Sequence, residues 1–322
     1  MYSALPSILT DWLRLSRFRD WCTSKITFTG ACIGLLAPAG SSALELMAMI
    51  GTIAAWGAFG YGINEVADRG ADQRAGKVNR AAGLPAVSWT LFLLLTAASA
   101  MALSLIWTPD GTAPLFVAAG LVLSTAYSAP PIRLKERGVL GLASAAAAQW
   151  ALPVLAIAAA EPRGWLRPAA WSMALLGLAI GLRWISVHQL HDTSIDRQSG
   201  VRTYASTGGR VWSIILGAFL AEVALLSATL VLAWPASVPA IAVLALGLVH
   251  EFSLAESFRS RLQSFQRAPL REYYFLLLPV SLALVRGLRH PDFLVLAVVC
   301  VILGWGYVLA MFRDWRERLA PA

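Results

Sequence analysis

Asn64-Glu65-Val66-Ala67-Asp68-Arg69-Gly70-Ala71-Asp72-Gln73-Arg74-Ala75-Gly76-Lys77 has a counterpart in His188-Gln189-Leu190-His191-Asp192-Thr193-Ser194-Ile195-Asp196-Arg197-Gln198-Ser199-Gly200-Val201-Arg202. An offset of 124 residues lays Asn64 on His188, Asp68 on Asp192, Asp72 on Asp196 and Gly76 on Gly200. Each stretch follows a long apolar run, and the next apolar runs begin near 87 and 211, which keeps the offset. Duplication of a multi-helix unit with parallel topology accounts for this register, and such repeats place a site where the halves meet. The halves run over about 40–165 and 166–290, inside one domain covering 1–322.

The composition around these stretches excludes a soluble protein. Of 322 residues, 58% are hydrophobic and 14% charged, against about 25% charged in an ordinary soluble domain. Apolar runs lie at about 20–39, 46–64, 86–108, 112–130, 138–160, 168–190, 211–233, 237–254, 273–288 and 293–312, each near the ~20 residues that a spanning helix needs. The fold class expected is therefore all-α: a polytopic bundle of nine to ten membrane helices around a central cavity. The ninth run has a charge-free stretch of only 13 residues between Glu272 and Arg286, short enough to suit a tilted or re-entrant helix. With the N-terminus inside, 22 of the 26 Lys and Arg residues fall in inner segments; Arg163, Arg167, Arg286 and Arg289 do not. The positive-inside rule thus predicts an integral, multi-pass protein with both termini and all motif loops cytoplasmic, the membrane being the cytoplasmic one if the source is bacterial. The net charge of +8 reports this topology, and no nucleic-acid partner is expected. Cys22, Cys32 and Cys300 are too scattered for a disulfide framework or a zinc cluster. Residues 5–17 alternate apolar with charged side chains and read as a helix on the inner membrane surface.

On a helix, Asn64, Asp68 and Asp72 form one stripe, and His188, Asp192 and Asp196 a second. Like charges at this spacing repel, so something must neutralise them, and carboxylates with an amide oxygen suit Mg2+ bound together with a phosphate. Two such stripes facing one cavity and ringed by cations describe a magnesium-diphosphate site. Lys25, Lys77 and Lys135, the chain's three lysines, all lie in segments beside it. Lys77, Arg80, Arg133 and Lys135 are expected to hold the diphosphate, through point charge or bidentate fork. Lys25 and Arg202 are further candidates, with an interfacial anchor and a positive-inside charge as their plainer readings.

The chain resembles the UbiA-type intramembrane prenyltransferases. Their first motif, N-D-x-x-D-x-x-x-D, is matched by Asn64, Glu65, Asp68 and Asp72, and their second, D-x-x-x-D, by Asp192 and Asp196. A third match is Tyr127-Ser128-Ala129-Pro130-Pro131-Ile132-Arg133-Leu134-Lys135, the Y-S-x-P-P-x-R-x-K loop. The resemblance covers about residues 10–255 and implies a helical fold of usually nine spans, in which two Mg2+ ions bind an isoprenyl diphosphate. It implies catalysis through Asp68, Asp72, Asp192 and Asp196, with Asn64 among the metal ligands. Tyr127, at the end of the fourth run, is a further catalytic candidate by its place, and His188, which stands in the second stretch where the first has Asn64, has three readings: a ligand, a hydrogen-bond partner of the diphosphate, or the cap of a water network. The resemblance further implies that the allylic diphosphate ionises and that the cation alkylates a lipophilic, aromatic acceptor. Glu65 stands where the family pattern has Asp. A terpene cyclase of the same type would use the same site without an acceptor, and a secondary transporter would share the repeat but has no need of the carboxylate stripes.

Other polar residues have two readings each. Arg183, His188 and His191 near the inner end of the sixth run, and Glu222 inside the seventh, serve either the cavity or internal pairing. Trp21, Trp107, Trp165, Trp234 and Trp315 sit at span ends and read as an aromatic belt. Gly57, Gly60 and Gly62 suit close helix packing.

Overall fold

The computed structural model describes residues 4–319 apart from 109, 234–236, 253–256 and 266. Among the described residues there is no strand. Amphipathic α1 (Ala4–Leu15) turns at Arg17, in the left-handed region at φ 52°, into α2 (Phe18–Leu36). Next come α3 (Ala43–Arg74), α4 (Ala86–Ile106) and α5 (Thr112–Ser128). α6 (Val139–Ala158) widens into a π-turn at Ala147–Ala151. α7 (Pro168–Ser199), α8 (Val211–Leu232), α9 (Val238–Phe252) and the short α10 (Phe258–Leu262) follow. α11 (Tyr273–Gly287) opens with a π-turn, Tyr273–Leu277, and α12 (Leu294–Leu319) ends the described chain.

Among the described residues each of the ten apolar runs contains a helix. Six segments are long and apolar enough to cross a membrane: α3, α4, α6, α7, α8 and Pro291–Leu309, most of which lies in α12. α5, α9 and α11 are shorter apolar helices, and α2 carries Arg19, Asp20 and Lys25 in its first half. Local chemistry sets the helix starts. Ser42 and Glu45 form a reciprocal capping box at α3, with the Ser42 N–H donating to Glu45 Oε2 at 2.7 Å. Pro168 opens α7, where its missing N–H costs nothing.

The tightest helix pairs are α3 with α4 and α7 with α8. In the first, Gly62 lets Phe92 approach; a Cβ there would lie 2.5 Å from the ring. In the second, Arg183 donates to both Glu222 oxygens at 2.6 and 2.9 Å. Neither side chain lines the cavity, so they form an internal pair across the α7–α8 seam, which settles their reading. The belt reading fails for two tryptophans. Trp21, 1% exposed, stacks on Tyr61 and donates to the Ser16 carbonyl, and Trp107, 3% exposed, donates to Thr52. Both face inward because their Nε1–H groups find partners inside. Trp234 and the side chain of Trp315 lie outside the described residues.

Candidate active site

The two repeated stretches end in the same way. The Lys77 N–H donates to the Asp72 carbonyl and the Gly76 N–H to Gln73; the Val201 N–H donates to Asp196 and the Gly200 N–H to Arg197. This double bond pattern is the Schellman ending, and it requires the left-handed residue that Gly76 (φ 65°) and Gly200 (φ 74°) supply. The shared glycines therefore stop α3 and α7 just after Asp72 and Asp196, and send the following residues across the site.

Asp68 is the hub of the first stripe. It pairs with Arg133 Nη2 at 3.1 Å and with the Lys135 ammonium. Both cations come from the loop after α5, where Arg133 takes φ 41° and also bonds Glu136. Asn64 Oδ1 accepts from Ser128 at 3.2 Å and from Lys135 at 3.3 Å. Burial pulls the Lys135 pKa below the usual lysine range, and Asp68 opposes that shift.

Asp72 is fixed by a residue that sequence reading missed. The Asn79 amide donates to Asp72 Oδ2 at 2.7 Å and to the Glu65 carbonyl at 2.8 Å, folding the loop back on α3. Its only sequence signal is a lone amide in a loop seven residues after an aspartate. Asn79→Ala is expected to loosen this loop by about 0.5–1.5 kcal/mol, the net worth of a typical hydrogen bond, because the bonds are only part-buried. Limited proteolysis between 75 and 85 reads this out; an unchanged cleavage rate refutes the anchoring role.

Glu65 does not join the stripe. It is 4% exposed and accepts from Arg17 Nη1 (3.3 Å), Arg80 Nη1 (3.2 Å) and the Arg80 N–H (2.8 Å). Arg80 and Arg17 both also pair with Asp20. The longer glutamate arm thus serves an ion-pair ring between α2, α3 and the loop, and Arg80 is committed to that ring.

The second stripe is bridged by the first repeat. The Lys77 ammonium lies 3.7 Å from Asp192 Oδ2 and 3.8 Å from Asp196 Oδ1. Asp196 also accepts from Thr203 at 3.0 Å, and His188 Nδ1 stands 3.8 Å from Asp192. Arg202 is exposed with no partner among the described residues.

Beneath this polar cap lies a cavity of about 650 Å³. Asn64, Tyr127 and His188 form part of its upper wall; Trp56, Tyr61, Trp150, Trp184, Leu303 and Tyr307 line its body. Lys25 projects into it over Trp150, 3.7 Å from the ring centroid. Phe265, on the segment after α10, packs against Trp184 and His191 with centroids 5.3 and 5.5 Å apart.

Among the described residues no three His, Cys, Asp or Glu side chains converge closely enough to hold a metal ion. Lys135, Arg133 and Lys77 stand on the carboxylates instead. The donor set nonetheless fits a hard divalent cation: it is all oxygen, and two of its carboxylates already share one cation, the Lys77 ammonium.

A cap of paired carboxylates and cations lies over an aromatic chamber, and the apolar helices make the chain an integral membrane protein. The family model for the UbiA prenyltransferase family matches residues 26–268. The chain belongs to that family. Its fold is similar to that of a UbiA homologue from Archaeoglobus fulgidus bound to GPP and Mg2+, at TM-score 0.55 and 14% identity over 89% of this chain and 99% of that one. The same homologue bound to DMAPP and Mg2+ gives TM-score 0.53 at 14% identity, over 90% and 99%. A digeranylgeranylglyceryl phosphate synthase gives 0.54 at 14%, over 91% and 99%. No curated protein matches the chain by sequence.

Proposed function

We propose that this protein is a magnesium-dependent prenyltransferase that ionises an isoprenyl diphosphate and transfers the prenyl group to a lipophilic, aromatic acceptor. The observation that carries this reading is Lys77, which joins the loop of the first carboxylate stripe to both aspartates of the second, above an apolar cavity. Asn64, Asp68, Asp72, Asp192 and Asp196 would hold Mg2+, which neutralises the diphosphate as it leaves. Lys77, Arg133 and Lys135 turn from the carboxylates to the diphosphate oxygens, so the site exchanges one set of ion pairs for another. The allylic C–O bond breaks with its electron pair on the diphosphate; the acceptor's π electrons form the new bond, and a proton is released. The Tyr127 to Lys135 loop screens the cation from water, which would otherwise quench it to an alcohol. One domain made of two repeats, about 40–165 and 166–290, supports a site assembled where they meet.

The test is to incubate purified protein with geranyl, farnesyl and geranylgeranyl diphosphates and Mg2+, with and without acceptors, and to identify products by mass. Acceptor-dependent prenyl adducts support transfer. Cyclised hydrocarbons formed without an acceptor would reassign the protein as a cyclase, and intact diphosphates throughout would refute both.

We further infer that the cap faces the cytoplasm, from the charge asymmetry. Single cysteines placed near Gly111 and Ser237 are expected to react with an impermeant maleimide from outside the cell, while those at Gln73 and Arg137 stay protected. The reverse pattern inverts the topology.

A further inference from the structure

We propose that Asn79 and Thr203 are equivalent positioning residues, each holding the distal aspartate of its stripe ready for Mg2+ through a neutral hydrogen bond. Each stands seven residues after that aspartate, outside the motif itself. The proposal rests on the prenyltransferase reading above and concerns how the two carboxylate stripes are prepared for the metal.

The offset of 124 residues that aligns the aspartates also lays Asn79 on Thr203 and Glu65 on Gln189. Their bonds repeat with them. The Asn79 amide donates to Asp72 Oδ2 at 2.7 Å, and the Thr203 hydroxyl to Asp196 Oδ2 at 3.0 Å. Each then accepts a backbone N–H of its own loop, Asn79 Oδ1 from Ala81 at 2.9 Å and Thr203 Oγ1 from Ser206 at 3.3 Å. A second tie recurs as well. Glu65 Oε2 accepts the Arg80 N–H at 2.8 Å, and Gln189 Oε1 the Ala205 N–H at 3.4 Å. The residue types differ, Asn against Thr and Glu against Gln, so what the two halves have in common is the bond and not the side chain that makes it.

Such a bond suits a carboxylate that is to take a metal. An ionised carboxylate has about four lone-pair sites, so one neutral donor orients it while its charge and its other oxygen stay available. Asp196 shows the division: Oδ2 accepts from Thr203, while Oδ1 faces the Lys77 ammonium at 3.8 Å. The proximal aspartates are held by charge. Asp68 pairs with Arg133 and Lys135, and Asp192 with Lys77. Those cations have to move aside when a divalent ion arrives, whereas a hydroxyl or an amide on the far oxygen can stay. Each stripe therefore has one aspartate set in advance and one kept in place by exchangeable cations.

Burial ranks the two residues. Thr203 and Asp196 are both buried, whereas Asn79 and Asp72 are half-buried. The loop beyond Thr203 is also packed: Ala205 is buried with Val187, Val211, Ile215 and Leu262. Tyr204 accepts the Arg210 N–H at 3.1 Å, and Gly209 leaves room for its ring, since a Cβ there would lie 2.5 Å away. A hydrogen bond shielded from water is the harder one to replace by solvent, so the larger effect belongs to Thr203.

The experiment compares wild type with Thr203→Val, which keeps the shape and loses the hydroxyl, Thr203→Ser, which keeps the hydroxyl, and Asn79→Ala. Mn2+ stands in for Mg2+, and its affinity at saturating farnesyl thiolodiphosphate is read by electron paramagnetic resonance on the folded fraction from size exclusion. Thr203→Val is expected to weaken Mn2+ binding about tenfold and Asn79→Ala about threefold, with Thr203→Ser close to wild type, on the scale of groups that orient metal ligands. A purely structural role would lower the yield of folded protein and leave the affinity of that fraction unchanged. Unchanged affinity in Thr203→Val or in Asn79→Ala therefore overturns the proposal, as does Thr203→Ser binding as weakly as Thr203→Val. Asn79→Ala, at the half-buried site, keeps the test decisive should Thr203→Val not fold. No Mn2+ bound by wild type sinks the magnesium-dependent reading itself, whereas wild-type binding without loss in the variants sinks only this one.

Discussion

Asp192→Ala should lower kcat by at least about 10²–10³, the loss that follows removal of one preorganised charge-stabilising group. The effect comes from the leaving group, because a diphosphate departing without its full set of cations carries uncompensated charge in a site that holds little water. Asp192 gives the cleaner version of this experiment: its side chain is 34% exposed and shares its cation with Asp196. Its removal leaves no buried group stranded. Asp68→Ala should be at least as severe, but it also frees Lys135, whose side chain is 7% exposed, and so needs a parallel check of folding by size exclusion. Near-normal turnover in Asp192→Ala, assayed with saturating Mg2+, would remove the carboxylates from the mechanism.

Glu222→Leu should be the most destabilising single change, by about 3–5 kcal/mol, because it strands the Arg183 guanidinium in the bundle. The pair is 2% and 0% exposed, so solvent screening gives no relief. The double change Arg183→Met with Glu222→Leu should restore most of the loss, since two packed apolar side chains replace two charges that were costly to desolvate. Thermal unfolding in detergent measures both. Because neither residue lines the cavity, the double variant should also keep its activity per folded molecule. A single variant as stable as wild type would mean that Arg183 finds another partner.

The carboxylate stripes were legible in the sequence because three physical signals coincide in each: a four-residue step, an apolar run before it and a glycine after it. Helix geometry turns the step into a face, and the glycine into a Schellman end, with no help from distant parts of the chain. Glu65 was not legible in this way. Its type matched the motif, yet its position, about 100° around the helix from Asn64, delivers it to Arg17 and Arg80. Asn79 lies in a loop, where no periodicity says which way a side chain turns. Trp21 and Trp107 share the linear signature of belt residues, and only the packing of α2 on α3, or of Trp107 on Thr52, shows that they face inward. Lys25 was legible as a cation near the site; that it lies over the face of Trp150 is a property of its surroundings that one dimension does not record.

The ion pairs of the cap also impose an order in time. A chain made from its N-terminus has Arg17 and Asp20 ready first, but their ring closes only when Glu65 and Arg80 arrive. Asp68 then waits for Lys135, and Lys77 for Asp192 and Asp196. At about 5–20 residues per second, the last of these closures trails the synthesis of Lys77 by roughly 6–24 s. Throughout that interval the nascent protein holds an open half-site at the membrane surface, and the cap is sealed by α7, the helix that carries the second aspartate pair.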